Sequence, residues 1–351
     1  MADPEGSHLS PERNHVSKTT ALTEPRRSAD VGFHVGELAV QQRAGTREEA
    51  ARLSPMLDPA QLRGGIVAFL ADRTFAAITA RDADGRLWTS PLSGPPGFLE
   101  AVGPTTLAIR ARLPDGDPLH GLPAGQQAGL VVVELAARRR VRVNGTLTAV
   151  DGDSLVIEVE QAYGNCPQYI HQRVLARRGL AQDDVAQDGL ARDDVAQDDL
   201  AQDGPGDVRR DAALSPADAR LIRAADTFFL GTTNPERGSD SSHRGGTPGF
   251  VRVDGDRLWW PDYPGNNLFN SFGNLAVDPE ASLLFLDFDT GRTLQLSGTA
   301  EVDWDAAGRP GDDGHTGRRA VFTLERLVAG RLLPSRQIAH TPSPRNPALT
   351  D

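Results

Sequence analysis

The sequence predicts a mainly β protein: two tandem antiparallel β-barrels with short helices, joined as a pseudo-dimer inside one chain. Three observations predict it. Short β-branched and apolar runs recur between Gly, Pro or Asp turns from residue 75 onward, the pattern of an antiparallel sandwich or barrel. These runs fall into two sets that can be laid over each other at a nearly constant offset. The chain has 351 residues and 38% hydrophobic content, enough for two cores at about 150 residues per domain once polar tails are set aside.

In chain order, residues 1–31 are Pro, Ser, Glu, Arg and His without apolar periodicity, an expected disordered tail. The first domain, residues 32–179, opens with helical patterning from Phe33 to Leu57, and Thr46-Arg47-Glu48-Glu49 reads as a helix start. A second helix is expected from Gln61 to Ala71, with Ile66, Phe69 and Leu70 on its apolar side. Strands are expected at Phe75–Ala80, Leu87–Pro91, Thr106–Arg110, Leu130–Leu135, Arg140–Thr148 and Ser154–Val159.

A linker, residues 180–210, then carries five pentads: LAQDD, VAQDG, LARDD, VAQDD and LAQDG. An apolar residue every fifth position fits neither helix nor strand, so the segment reads as flexible, acidic and low in complexity. Paired carboxylates could hold a hard cation, but the spaced ligands and the Gly and Glu of a calcium loop are missing.

In the second domain, residues 211–334, Ser215 is placed to cap a helix running to Arg223, with Pro216 at its first position. Strands follow at Thr227–Thr232, Gly249–Val253, Arg257–Trp260, Ser282–Phe288, Thr293–Asp303 and Arg319–Leu327. Residues 335–351 form a Pro-rich tail expected to be loose.

The two strand sets repeat in register. Gly94-Pro95-Pro96-Gly97-Phe98 matches Gly246-Thr247-Pro248-Gly249-Phe250 (246 − 94 = 152). Val131 to Glu134 matches Leu284 to Asp287 (284 − 131 = 153), and Val141 to Thr146 matches Leu294 to Thr299 (294 − 141 = 153). Gly116-Asp117-Pro118-Leu119 corresponds to Gly265-Asn266-Asn267-Leu268 with a small gap. Each match alone is weak; four in order point to a duplicated barrel.

One stretch stands out, Ser241 to Asn274. It begins with a Gly-rich turn carrying a cation, His243-Arg244-Gly245-Gly246, and continues into a polar turn, Asp262 to Asn267. A helix-like segment, Leu268 to Val277, then ends before Asp278-Pro279. Paired glycines let a backbone approach something flat, and an asparagine-capped helix start offers free N–H groups to an anion. A flat ring with a phosphate tail, flavin mononucleotide, fits this arrangement; a tight turn followed by an ordinary cap fits it too.

Charge and composition exclude several classes. Net charge is 37 − 48 = −11, of which residues 180–204 supply −7 through eight Asp and one Arg. No basic stripe stands out, which argues against a nucleic-acid partner. The single cysteine, Cys166, excludes an internal disulfide and a multi-cysteine metal site and fits a reducing cytoplasm. No run reaches the roughly 18 apolar residues of a membrane span, and the polar N-terminus lacks a signal-peptide core, so a cytoplasmic protein without a membrane partner is expected.

Taken together, these motifs resemble the pyridoxamine 5′-phosphate oxidase-like flavoproteins, built on the FMN-binding split barrel, and especially their two-barrel bacterial members. The resemblance covers roughly residues 32 to 345 apart from the linker. In the first half it rests on Phe33-His34-Val35-Gly36-Glu37, Gln41 to Gly45, Gly94 to Phe98, Gly116 to Leu119, Arg138 to Gly145 and Tyr163 to Ile170. In the second half it rests on His243 to Phe250, Pro261 to Asn267 and Leu294 to Gly298.

The resemblance implies six-stranded Greek-key barrels with FMN in the groove between them. It places Arg244, Gly245 and Gly246 beside the ring, Asn266, Asn267 and Ser271 near the phosphate, and Asp262 and Gln295 among the other contacts. It also implies an oxidoreductase passing electrons from NAD(P)H or a partner reductase to a small-molecule substrate, in a chain able to form a homodimer. The rival reading is a non-catalytic flavin- or haem-binding or assembly module. The archetypal oxidase grips the phosphate with a Ser-Arg-Lys cluster, whereas this chain has Gly265-Asn266-Asn267 there, a less charged clamp.

Other residues carry weaker signals. Arg244 is either a donor to the flavin or a turn arginine. His243 reads as a solvated turn histidine rather than a proton donor, and Trp259, Trp260 and Phe250 read as packing. Cys166 reads as structural, and Arg138-Arg139-Arg140 as a solvated turn rather than an anion contact. No catalytic residue is assigned, and neither a Ser-His-Asp set nor metal-ligand spacing is visible.

Overall fold

The structure, a computed structural model, describes residue 1 and residues 32–57, 61–177 and 208–350. Nearly all of the expected N-terminal tail, and the pentads themselves, lie outside the described residues.

The first half begins with α1 (Val35–Ala44), α2 (Arg47–Leu53), a 3-10 turn and α3 (Gly64–Ala71). Its strands are β1 (Phe75–Arg81), β2 (Leu87–Ser93), β3 (Leu99–Ala101), β4 (Thr106–Ile109), β5 (Gln126–Glu134), β6 (Arg139–Asp151), β7 (Ser154–Asn165) and β8 (Gln172–Arg177). The second half holds β9 (Arg209–Asp211), α4 (Pro216–Ala224), β10 (Thr227–Asn234), β11 (Gly238–Gly245), β12 (Arg252–Asp254) and β13 (Arg257–Pro261). It ends with α5 (Asn270–Leu275), β14 (Glu280–Leu286), β15 (Thr293–Asp303), β16 (Arg319–Gly330) and β17 (Ser335–Thr341).

The duplication is visible in the topology. One sheet runs β2-β1-β5-β6-β7-β4-β3 and the other β11-β10-β14-β15-β16-β13-β12, the same order strand for strand. Each path has seven strands rather than six, because a short arm, β3 or β12, is added at one edge. A register shift falls between Asn144 and Gly145 in β6 and between Ser297 and Gly298 in β15, equivalent positions at 298 − 145 = 153. Glycine is required at both bulges: a Cβ on Gly145 would lie 2.0 Å from the Glu158 carbonyl oxygen, and one on Gly298 2.0 Å from that of Thr323.

Successive side chains of a strand face opposite ways, and here both faces are buried. In β1, Ala76, Ile78 and Ala80 enter the first barrel's core, while Phe75 and Ala77 enter a third cluster shared by the two halves. In β10, Phe228 and Leu230 enter the second core and Phe229 the shared cluster. Val131 and Val133 meet Leu284 and Leu286 there, which fastens one barrel to the other. This double burial explains why the strands read as nearly continuous apolar runs.

Three expectations are corrected. The tail from residue 335 is ordered in part: β17 pairs antiparallel with β8, so the chain's end returns to the first half. Residues 209 and 210, expected in the linker, begin β9, which pairs with β16. His243 to Gly245 form the end of β11, and the turn begins only at Gly246. The capped helix at Ser215 is as expected: its hydroxyl accepts from Asp218 N at 3.2 Å, and the Asp218 carboxylate accepts from Ser215 N at 2.8 Å.

Candidate functional site

Where β6 meets β11, a cleft of about 930 Å³, counting its open mouth, lies between the halves. The first barrel contributes Arg140 and Arg142 from β6, Asn165 at the end of β7, and Cys166, Gln168 and Tyr169 after it. The second contributes His243 to Gly245 at the end of β11, Trp260 to Tyr263, the turn at Gly265 to Asn267, and Asn270 to Phe272 of α5. The two-residue period of β6 decides which of its side chains reach this wall: Arg140, Arg142 and Asn144 share one face, while Val141 and Val143 enter the first core.

The electrostatics are one-sided. Arg142 donates to the buried Asp240 at 2.9 Å, and Asn144 donates to the other oxygen of that carboxylate at 3.1 Å. Arg140 is held by the His243 carbonyl at 2.9 Å rather than by an acid. The Arg244 guanidinium lies over the Phe272 ring, 5.8 Å from its centre. Burial, then the charges of Arg142 and Arg244, pull Arg140 down to about 9; burial, then Arg142, pulls Arg244 down to about 10. Positive charge is therefore crowded here, with Asp240 committed to Arg142 and Asp262 to Arg318 at 2.9 Å. An anion in the cleft relieves that crowding.

Unpartnered polar atoms concentrate at the same place. Arg140 Nε, Arg142 Nε, Asn165 Oδ1, His243 Nε2, Arg244 Nε and Trp260 Nε1 are buried on cleft-lining residues without a hydrogen bond among the described residues. Such groups are costly unless something pairs with them. Tyr169, Asn267 and Phe269, three lining residues, hold φ of 64°, 58° and 56°, the left-handed strain that collects at binding sites.

Of the expected site residues, Arg244, Gly245, Asp262, Asn266, Asn267 and Ser271 come together on this wall. Gly245 passes close to the other half, since a Cβ there would sit 2.0 Å from the Tyr169 carbonyl oxygen. Gly246 stands outside the lining set: its N–H is spent on the Asp226 carbonyl at 3.0 Å, and the Phe250 ring packs against it. Gln295 is not in the cleft at all. It is fully buried at the other inter-barrel face, where its amide donates to Ser90 Oγ at 2.8 Å and Asp117 Oδ2 at 3.1 Å.

The asparagine-capped helix start is also corrected. The helix is six residues long, Phe269 is its cap with φ 56°, and no side chain caps it. Asn266 instead accepts from Leu268 N at 3.2 Å, closing a local turn. His243 is buried and sits edge-on to Phe229, and burial followed by the Arg140 charge drives its pKa well down, so it is a neutral ring and not a solvated one. Phe250 and Trp260 both pack in the second core and border the cleft.

The residues missed from sequence are Arg140 and Arg142 of the first barrel and Arg318 of the second. Arg140 lies in β6, as the strand expected from Arg140 to Thr148 has it and against its reading as a solvated turn, and the alternation Arg140-Val141-Arg142-Val143 was the available signal for the cleft-facing side. Arg318, which lines the cleft from the far side, carried none.

Residues 214–309, most of the second barrel, match the sequence model of the family described as pyridoxamine 5′-phosphate oxidase. No match was found among curated proteins. Among solved structures, a putative pyridoxamine 5′-phosphate oxidase from Lactobacillus delbrueckii shares 14% identity over 33% of this chain and 94% of its own, with a TM-score of 0.28. HupZ from Group A Streptococcus shares 12% over 32% and 92%, with a TM-score of 0.27. A FAD-binding protein from Mesorhizobium loti shares 13% over 35% and 96%, with a TM-score of 0.25. Among the described residues, no helix is long and apolar enough to cross a membrane.

Proposed function

We propose that this chain, whose second barrel belongs to the pyridoxamine 5′-phosphate oxidase family, is a flavoprotein oxidoreductase that holds FMN in the cleft between β6 and β11. The observation that carries the reading is the crowding of Arg140, Arg142 and Arg244 around unpartnered buried polar atoms in one open cleft. That donor set fits a flat, hydrogen-bonding ring with an anionic tail. Arg140 and Arg142 also supply, from the opposite barrel, positive charge that the neutral Gly265-Asn266-Asn267 turn lacks.

Bound flavin would supply reversible two-electron chemistry to a small acceptor, with NAD(P)H or a partner reductase as donor. The chain's own residues bind and orient. Arg244 and Arg140 provide N–H donors and charge on opposite walls, and Asn266, Asn267 and Ser271 provide further polar groups. Neutral His243 and its carbonyl fix Arg140 (3.2 Å and 2.9 Å), and Asp262 fixes Arg318. Trp260, Phe250 and the tilted pair Tyr169–Tyr263, 5.0 Å between centroids, wall the cleft from water.

Fluorescence titration with FMN tests the reading. Saturable quenching is expected at one site per chain, weakened about tenfold or more by Arg244→Ala and unchanged by Gln295→Ala. Bleaching of the bound flavin by NAD(P)H or a reductase supports the oxidoreductase; binding without reduction by any donor favours the non-catalytic module. A protein that binds no FMN sinks both flavin readings.

A further inference from the structure

We propose that His171, Asp226 and His340 form a binding site for a divalent transition metal, zinc being the best fit, that fastens three distant parts of the chain together. His171 precedes β8, Asp226 precedes β10, and His340 lies in β17, so the site joins the end of the first half, the first long strand of the second and the returning C-terminal strand. Such separations hide the set from any reading of local spacing.

The three ligand atoms make a nearly equilateral triangle. His171 Nδ1 is 3.1 Å from Asp226 Oδ2, Asp226 Oδ2 is 3.2 Å from His340 Nε2, and the two imidazole nitrogens are 3.3 Å apart. A tetrahedral ion with bonds of about 2.0–2.1 Å separates its ligand atoms by roughly 3.3 Å. The three observed edges already match that spacing to within about 0.2 Å.

Proton placement points the same way. His171 Nε2 is 2.9 Å from the Gly246 carbonyl oxygen, which can only accept, so Nε2 carries the proton. The Asn346 amide, 2.5 Å from the same nitrogen, can turn its oxygen to it; the carbonyl cannot turn. In the neutral ring Nδ1 then presents a lone pair to Asp226 Oδ2, acceptor against acceptor; Arg173 donates to that oxygen at 2.6 Å, and the nitrogen and oxygen still face each other at 3.1 Å. A cation at the centre satisfies all three ligand atoms.

The surroundings resemble those of a metal centre. Gly246 fixes the tautomer and plane of His171, and the buried Arg173 grips Asp226, as outer partners of metal ligands do. Because Arg173 already balances the carboxylate, two neutral imidazoles dominate the donor set. That favours zinc, cobalt or nickel over calcium or magnesium. His171 and Asp226 are buried, while the His340 side chain is 31% exposed, leaving an entry path and a fourth position for water.

The test uses the full chain, stripped with chelator and equilibrated with Zn²⁺ or Co²⁺. One metal per chain by elemental analysis is expected, with a visible Co²⁺ spectrum of tetrahedral type and a higher melting temperature with Zn²⁺. His340→Gln, at a half-exposed position that spares the fold, should weaken binding by about a hundredfold or more and abolish both the spectrum and the thermal shift. Asp226→Asn should act alike if it folds. Failure of the wild-type chain to retain stoichiometric metal, or equal uptake by His340→Gln, overturns the proposal, leaving a hydrogen-bonded His–Asp–His cluster or placing the metal elsewhere.

Discussion

Where β6 crosses β11, arginines face an open cleft; where the equivalent β15 crosses β2, a glutamine amide is sealed into hydrogen bonds. The two faces descend from the same strands. The match of Val141-Arg142-Val143 to Leu294-Gln295-Leu296 sets Arg142 against Gln295, and the Gly116–Leu119 match sets Asp117 near Asn266. At the first face Arg142 pairs with Asp240 across the barrels and leaves room beside it. At the second, Gln295 reaches the Thr89 carbonyl at 3.2 Å as well as Ser90 and Asp117, and fills the equivalent space. The lesson is that a duplicated barrel inside one chain can keep one groove and close its twin; on the proposed reading, that leaves one flavin site per chain.

Four measurements can break or sharpen that contrast. The largest expected effect is Arg142→Ala, which strands the buried Asp240 carboxylate and should cost about 3–5 kcal/mol in urea unfolding. Gln295→Ala at the closed face should cost only about 1–2 kcal/mol. Equal losses would show that the faces are not energetically different. Next come the shared bulges: Gly145→Ala and Gly298→Ala should each cost about 2–3 kcal/mol by forcing a methyl onto a carbonyl, and a loss confined to one barrel would undo the equivalence.

The third is a pH effect at the closed face. Burial pushes Asp117 up to about 6, from an ordinary 3.8, against its hydrogen bonds from Ser90, Leu119 and Gln295. The folded state thus holds that proton more tightly than the unfolded chain. Its contribution to stability is full below about 3.8 and is lost as pH rises through 6. Asp117→Asn should therefore be more stable than wild type at pH 8, by about 1–2 kcal/mol, with the gap closing between pH 6 and 4. Glu37, beneath the cleft, is raised to about 7 by burial and shifts in the same sense, while burial lowers His34 to about 4 and opposes it; subtracting the two proteins' profiles cancels both. The smallest expected effect is Arg140→Met, about tenfold in FMN affinity with stability nearly unchanged; a large loss of stability instead would make Arg140 structural.

What could be read from the sequence follows from what each residue answers to. The strand Thr293–Asp303 and the Ser215 cap were legible because their causes are local: alternation, and a hydroxyl three residues from its partner. The doubling was legible because it is written twice. Strand β11 was not, since Ser239 to His243 are polar yet buried at the inter-barrel face, and polarity there reads as a turn. Strands β8 and β17 pair across more than 150 residues of sequence, so neither announces the other. The cleft was half legible: Arg244 and the asparagine turn stood out on their own chain segment, but the arginines opposite, and the diversion of Gln295 to the closed face, depend on how one barrel lies against the other.

The pairing of β8 with β17 has a consequence for how the protein comes apart. The last strand of the chain is hydrogen-bonded to the first half, and the shared apolar cluster draws on both, so neither barrel can lose its structure without exposing the other. Heat should therefore dissolve both in a single step, and two polypeptides ending and beginning on either side of residues 178–207 should find each other in solution and rebuild the whole.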